Sequence, residues 1–124
     1  MTNAEILFAD VSEFGSSVEM TCEWGSNSNA KTVTWLRDSS PMIQWNIAKR
    51  MWIFEGDGNT VTRDEAVSSY KDRLEKGEVD SYTTQHKIIL YDVVKYDEGF
   101  YSCHVQIGTA EYMAPPKDMN IIGN

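Results

Sequence analysis

Positive charge is scarce in this chain. Eleven lysines and arginines stand against nineteen acidic residues, a formal net charge of -8, and no basic cluster reverses that sign locally. A phosphate backbone repels such a surface, so nucleic acid is not an expected partner. No apolar run approaches the ~18 residues of a membrane helix, and the segment is expected to make no membrane contact of its own. The opening Met1-Thr2-Asn3-Ala4-Glu5 holds no apolar signal segment, which suggests an excised piece of a larger protein that starts at an added methionine. With three prolines in 124 residues and no low-complexity stretch, one globular domain over 1–124 is expected. No Asn-x-Ser/Thr sequon occurs, so glycan placement does not mark either face of a sheet as covered.

Cysteine is also sparse. Cys22 and Cys103 lie 81 residues apart, which excludes a close-spaced zinc pair and a Cys-x-x-Cys redox motif. A bridge between them is the better reading; two free thiols of a cytosolic protein is the alternative. Closing so long a loop stabilises a fold by about 4 kcal/mol on the chain-entropy argument, and such a bond persists only in an oxidising compartment. Only two histidines are present, His86 and His104, and neither has a Ser, Cys or carboxylate at a spacing that suggests a triad. No catalytic residue, cofactor or metal is expected, and the carboxylates read as a solvated acidic surface. Glu55-Gly56-Asp57-Gly58-Asn59 lacks the glycine and glutamate positions of a calcium loop and reads as an ordinary turn.

What is present is period-two alternation. Glu5 to Val11 reads as a first edge strand, and Ser12 to Ser16 as a turn. Val18, Met20 and Cys22 share one face of the next strand, and Val33 and Trp35 that of another, with Trp35 the packing partner of the bridge. Pro41 to Trp45 and Met51 to Phe54 suggest two further short strands, 62–76 a charged loop, and Tyr82 to Leu90 a strand. Ile88, Leu90, Val93, Tyr101, Cys103, Val105 and Ile107 then fall on core positions, while Phe100, Ser102, His104 and Gln106 face away. Pro115-Pro116 interrupts the last strand, which is expected at an edge or after them, with Met119 and Ile121 inward.

Gly15-x-x-Val18-x-Met20-x-Cys22, then Trp35, then Ile88-x-Leu90-x-x-Val93-x-x-x-Asp97-x-Gly99-x-Tyr101-x-Cys103 resembles the immunoglobulin superfamily over nearly the whole chain. The resemblance implies an all-β immunoglobulin-like sandwich of two antiparallel sheets with Greek-key connections. It also implies a tyrosine corner at Tyr101 and an ion pair between Asp97 and Arg73, with Arg63 the poorer match. The long stretch from Trp35 to Arg73 leaves room for two extra strands, the variable-type (V-set) arrangement. No Phe-Gly-x-Gly follows Cys103, so the chain resembles a germline-encoded receptor domain more than an antibody or T-cell receptor chain. In general character, with no motif carrying the likeness, it is similar to invertebrate self-recognition domains such as cnidarian allorecognition receptors.

Fold alone does not specify function. The resemblance implies an N-terminal ectodomain of a type I cell-surface protein that recognises another protein through its GFCC'C'' sheet. Parity and strand assignment name Leu36, Trp45, Trp52, Phe54, His104, Gln106 and Tyr112 as partner-binding residues, since exposed aromatic rings anchor interfaces. The partner is either a copy of the domain on an opposed cell or a heterophilic receptor. The net charge makes a basic partner the easier electrostatic case, unless Arg37, Lys49 and Arg50 supply a mixed patch. Carbohydrate or small-ligand binding through exposed tryptophans is the alternative, and a passive spacer is disfavoured by the inserted strands.

Overall fold

Short alternating segments bounded by turns produce an all-β architecture, mostly strand with almost no helix among the described residues. A computed structural model describes residues 4–25, 30–46, 51–54, 73–76 and 84–123, with the strand but not the side chains at 51–54 and 76. The strands are β1 (Glu5–Leu7), β2 (Val11–Glu13), β3 (Val18–Glu23), β4 (Ala30–Arg37), β5 (Ser40–Asn46) and β6 (Met51–Phe54). They continue as β7 (Leu74–Lys76), β8 (Gln85–Leu90), β9 (Gly99–Ile107), β10 (Ala110–Met113) and β11 (Lys117–Ile122), with a 3-10 turn at Lys95–Asp97. The calcium-loop alternative at 55–59, Arg63 with the rest of 62–72, and 82–83 lie outside the described residues, while 74–76, expected within a charged loop, form β7 and pair with β8.

The smaller sheet runs β1-β3-β8-β7 and the larger β2-β11-β9-β4-β5-β6, with β10 also on β9. Both sheets contribute to one apolar core, an arrangement that fits a β-sandwich. The expected single first strand is in fact two. β1 pairs antiparallel with β3, whereas β2 pairs parallel with β11 on the other sheet. The larger sheet is therefore mixed rather than purely antiparallel. Between β1 and β2, Phe8 stays buried and packs edge-on against the Tyr101 ring, centroids 6.1 Å apart. The crossing is thus held by an aromatic contact as well as by hydrogen bonds.

The bridge Cys22–Cys103 joins β3 to β9 across the two sheets, and neither thiol is free. Trp35 is fully buried, as are Met20, Val33, Ile88, Leu90, Val93, Tyr101, Val105 and Met119. Its indole Nε1 donates to Nδ1 of His86 at 2.9 Å, and His86 is itself only 2% exposed. An Nδ1 that accepts carries its proton on Nε2, so this bond fixes the imidazole tautomer. Trp24 and Trp45 are core as well, at 0% and 2% exposure. The expectation that Trp45 is an exposed partner-binding residue is corrected: at 45 the side chain lies opposite buried Val33, so parity sends it inward.

A second framework cluster closes the lower end. Arg73 grips the fully buried Asp97 carboxylate with both terminal nitrogens, Nη2 to Oδ1 at 2.8 Å and Nη1 to Oδ2 at 3.1 Å. Nη1 also donates to the carbonyls of Tyr91 and Asp92, and the Val94 amide donates to Asp97 Oδ2 at 2.8 Å. The Tyr101 hydroxyl donates to the Asp97 carbonyl at 2.5 Å, which is the corner the resemblance implies. Nearby, the Ile121 amide and the Lys95 ammonium hold the Glu98 carboxyl below its ordinary value. Pro115 and Pro116 fall between β10 and β11, both of which pair with β9, so neither proline removes a ladder bond.

Candidate interaction face of the larger sheet

Alternation along β9 sends Tyr101, Cys103, Val105 and Ile107 into the core and leaves Phe100, Ser102, His104 and Gln106 on the outer side. Pairing then assembles that side in rows. Phe100 lies between Asp118 of β11 and Asp38 at the end of β4. Ser102 lies beside Leu36, and Leu36 beside Pro41. His104 sits between Met113 and Thr34, and Gln106 between Glu111 and Thr32. The Gln44 amide donates to Thr34 Oγ1 at 2.9 Å and ties β5 into the same surface.

The expected partner residues divide on this map. His104 and Gln106 are half-buried on the outer face. Leu36 belongs to it by parity yet is only 8% exposed. Trp45 points into the core. Tyr112 is opposite Val105 and packs half-buried on the core, so it too faces inward. Trp52 and Phe54 pair with Trp45 and Ile43 through their backbones, and their side chains lie outside the described residues. β5 carries an irregularity here: Trp35 pairs with Ile43 and Leu36 with Pro41, which leaves Met42 as an extra residue. Met42 and Ile43 are consequently both buried, a departure from strict alternation.

The apolar exposure is instead at Phe100 (54%) and Met113 (52%). An open depression of about 540 Å³ lies beside Phe100, lined also by Asp38, Ser39, Ser102 and Pro116. Sequence reasoning placed Phe100 outward without naming it as a binding residue, and it missed Met113, Asp38, Ser39 and Pro116. Met113 was legible by alternation from Glu111, because Tyr112 takes the inward position between them.

The turn that shapes the depression is strained. Asp38 and Ser39 occupy left-handed backbone with φ of 50° and 71° in a two-residue hairpin loop, where Asn-Gly is the favoured pair. Asp38 stabilises this geometry locally. Its Oδ1 accepts from the Phe100 amide at 2.9 Å and its own amide donates to the Phe100 carbonyl at 2.7 Å. Gly99 packs closely beneath it: a Cβ there would stand 3.0 Å from Asp38 Oδ2, so the carboxylate would have to shift. Among the described residues, Ser39 has no hydrogen bond of this kind to offset its conformation. Ser39→Gly is therefore expected to stabilise the domain by up to about 1 kcal/mol, read as a higher denaturation midpoint at unchanged m-value; a lower midpoint would show that the serine is not strained.

Every charged residue described in these rows is acidic: Asp38, Glu111 and Asp118, all exposed. Arg37 donates to the Tyr96 carbonyl and stacks 4.5 Å over the Tyr96 ring, while its Nε lies 3.8 Å from Asp38 Oδ2. Of the mixed patch expected from Arg37, Lys49 and Arg50, Arg37 stands beside Asp38, and the other two lie outside the described residues. Among the described residues no group of His, Cys, Asp and Glu could hold a metal ion. Compared with models of known protein families and with curated protein sequences, the chain matches none.

Proposed function

We propose that the chain is a V-set immunoglobulin-like domain of an extracellular recognition or adhesion receptor, and that it binds a protein partner through the outer face of the larger sheet. The observation that carries the binding reading is Phe100, an aromatic ring 54% exposed beside a depression on a regular sheet face. Rings in such positions contribute disproportionately to protein interfaces. Support for the V-set assignment comes from the Cys22–Cys103 bridge under Trp35, the Arg73–Asp97 pair, the Tyr101 hydroxyl on the Asp97 carbonyl, and the extra strands β5 and β6 beside β4. A bridge closing most of the chain supports an oxidising, extracellular setting, as the ectodomain of a type I membrane protein. The carbohydrate alternative rested on exposed tryptophans. Trp24, Trp35 and Trp45 are all buried, which leaves that reading with Trp52, whose side chain lies outside the described residues.

The test is substitution on the face. Phe100→Glu should weaken binding at least tenfold, in bead aggregation if the domain binds itself or against a panel of cell-surface ectodomains if it does not. Glu19→Lys on the smaller sheet should leave binding unchanged. Circular dichroism establishes that both variants fold. Retained binding by a folded Phe100→Glu protein would sink the assignment of this face, and binding on a glycan array would revive the carbohydrate reading.

A further inference from the structure

The aromatic ring at position 100 is flanked on both neighbouring strands by a carboxylate. Asp118 is its cross-strand partner on β11, and Asp38 is bonded to its amide on the β4 side. Adjacent strands lie about 4.8 Å apart, so two acids bracket one exposed ring across roughly 10 Å. Both are exposed, the Asp38 side chain at 56%. All but one of the described cations are directed elsewhere. Arg73 is held by Asp97, Lys87 lies near Glu19, Lys95 near Glu98, and Lys117 near Asp10 and over the Phe8 ring. Arg37 reaches the Tyr96 carbonyl with Nη2 and lies 3.8 Å from Asp38 Oδ2 through Nε, a loose pair that leaves the Asp38 side chain 56% exposed, and Lys31 stands at the opposite end of β4 from Asp38.

A ring face with negative potential and a carboxylate on either side has the chemistry of a guanidinium seat. Arginine stacks on an aromatic face while its edge nitrogens donate to carboxylates, and lysine lacks the planar group that does both. We infer that the partner is a different protein that projects an arginine onto Phe100 between Asp38 and Asp118. This inference rests on the proposed binding face and narrows its partner. A second copy meets the opposite situation, because face-to-face pairing sets these aspartates against each other, with Arg37 beside Asp38 the one described cation near them.

The probe is the capped peptide acetyl-Gly-Arg-Gly-amide, titrated into the isotope-labelled domain at low ionic strength and followed by amide chemical shifts. The citrulline peptide, which keeps shape and loses charge, is the control. The arginine peptide should shift the amides of Asp38, Ser39, Phe100, Ser102 and Asp118 saturably, with millimolar affinity, and at least fivefold more tightly than citrulline. Asp118→Asn and Asp38→Asn should each weaken it several-fold. Asparagine at 38 can still accept from the Phe100 amide, so the turn is retained. Phe100→Leu should remove the response.

Equal shifts with citrulline, shifts mapping to the smaller sheet, or no saturable shift would overturn the inference. So would sedimentation showing a dimer that Phe100→Glu dissolves. Those outcomes leave the binding face itself intact when Phe100→Glu still abolishes partner binding. Loss of the face assignment is recognised separately, by partner binding that survives Phe100→Glu.

Discussion

Replacing Asp97 with asparagine is expected to cost about 3 kcal/mol of stability, and replacing Arg73 with methionine a similar amount. The carboxylate is fully buried and the Arg73 side chain is 17% exposed. Removing one charge therefore leaves the other in a medium that solvates it poorly, and it removes a bidentate pair, the stronger kind of hydrogen bond. In Asp97→Asn the arginine retains the Tyr91 and Asp92 carbonyls. In Arg73→Met the carboxylate retains only the Val94 amide among the bonds described for it. The double variant should cost less than the two singles summed, since neither charge is then stranded. For a domain of this size a loss of about 3 kcal/mol lowers Tm by roughly 10 °C. Calorimetry of the four proteins completes the cycle. A loss below about 1 kcal/mol for either single would show that water reaches the pair. The Tyr101 hydroxyl bonds the Asp97 backbone carbonyl, so that corner is untouched by both side-chain changes.

Removing the bridge has the larger effect. Cys22→Ala with Cys103→Ala is expected to cost about 4 kcal/mol, because the unfolded chain regains the freedom of a loop 81 residues apart at its ends. Total stabilities of about 5–15 kcal/mol leave little after such a loss. The double alanine protein should melt well below the parent and be partly unfolded near 37 °C, with the same shift on reducing the parent under denaturant. A bridge-free protein within a few degrees of the parent would show that packing around Trp35 suffices alone. Combining this change with Asp97→Asn should prevent folding. Neither set lies on the outer sheet face, so both should reduce binding only through the unfolded fraction.

The framework was legible because each of its members is fixed by a local rule. Alternation gave Met20, Cys22, Val105 and Met119 their side of the sheet, and the Asp-x-Gly-x-Tyr-x-Cys string located the corner and the bridge. Residues decided by cross-strand register were harder to read. Trp45 looks like spare aromatic surface until its pairing with Val33 is known, and Tyr112 until it falls opposite Val105. The extra residue Met42 shifts pairing within β5, which no period in one strand announces. His86 appeared as an unremarkable polar residue in an alternating run. Its position opposite Cys22 brings it to the Trp35 indole, a contact between residues 51 apart in sequence. The outer face of the larger sheet was legible in outline through Phe100, His104 and Gln106. The acids around Phe100 were not, because Asp38, Phe100 and Asp118 meet only once β4, β9 and β11 are side by side.

The strand that changes sheets also determines how the domain carries load. β2 and β11 run parallel, with Asn120, Ile121 and Ile122 opposite Val11, Ser12 and Glu13. When the chain is pulled from its two directions, tension enters β2 from its start and leaves β11 from its end. The two strands are then drawn past each other along their length. Their backbone bonds share that force at once, whereas an antiparallel hairpin pulled from its open end unzips one rung at a time. The Phe14 amide on the Ile122 carbonyl, at 2.8 Å, extends the sheared region beyond β2. A seam three residues long thus sits directly on the line of traction between the two ends of the domain.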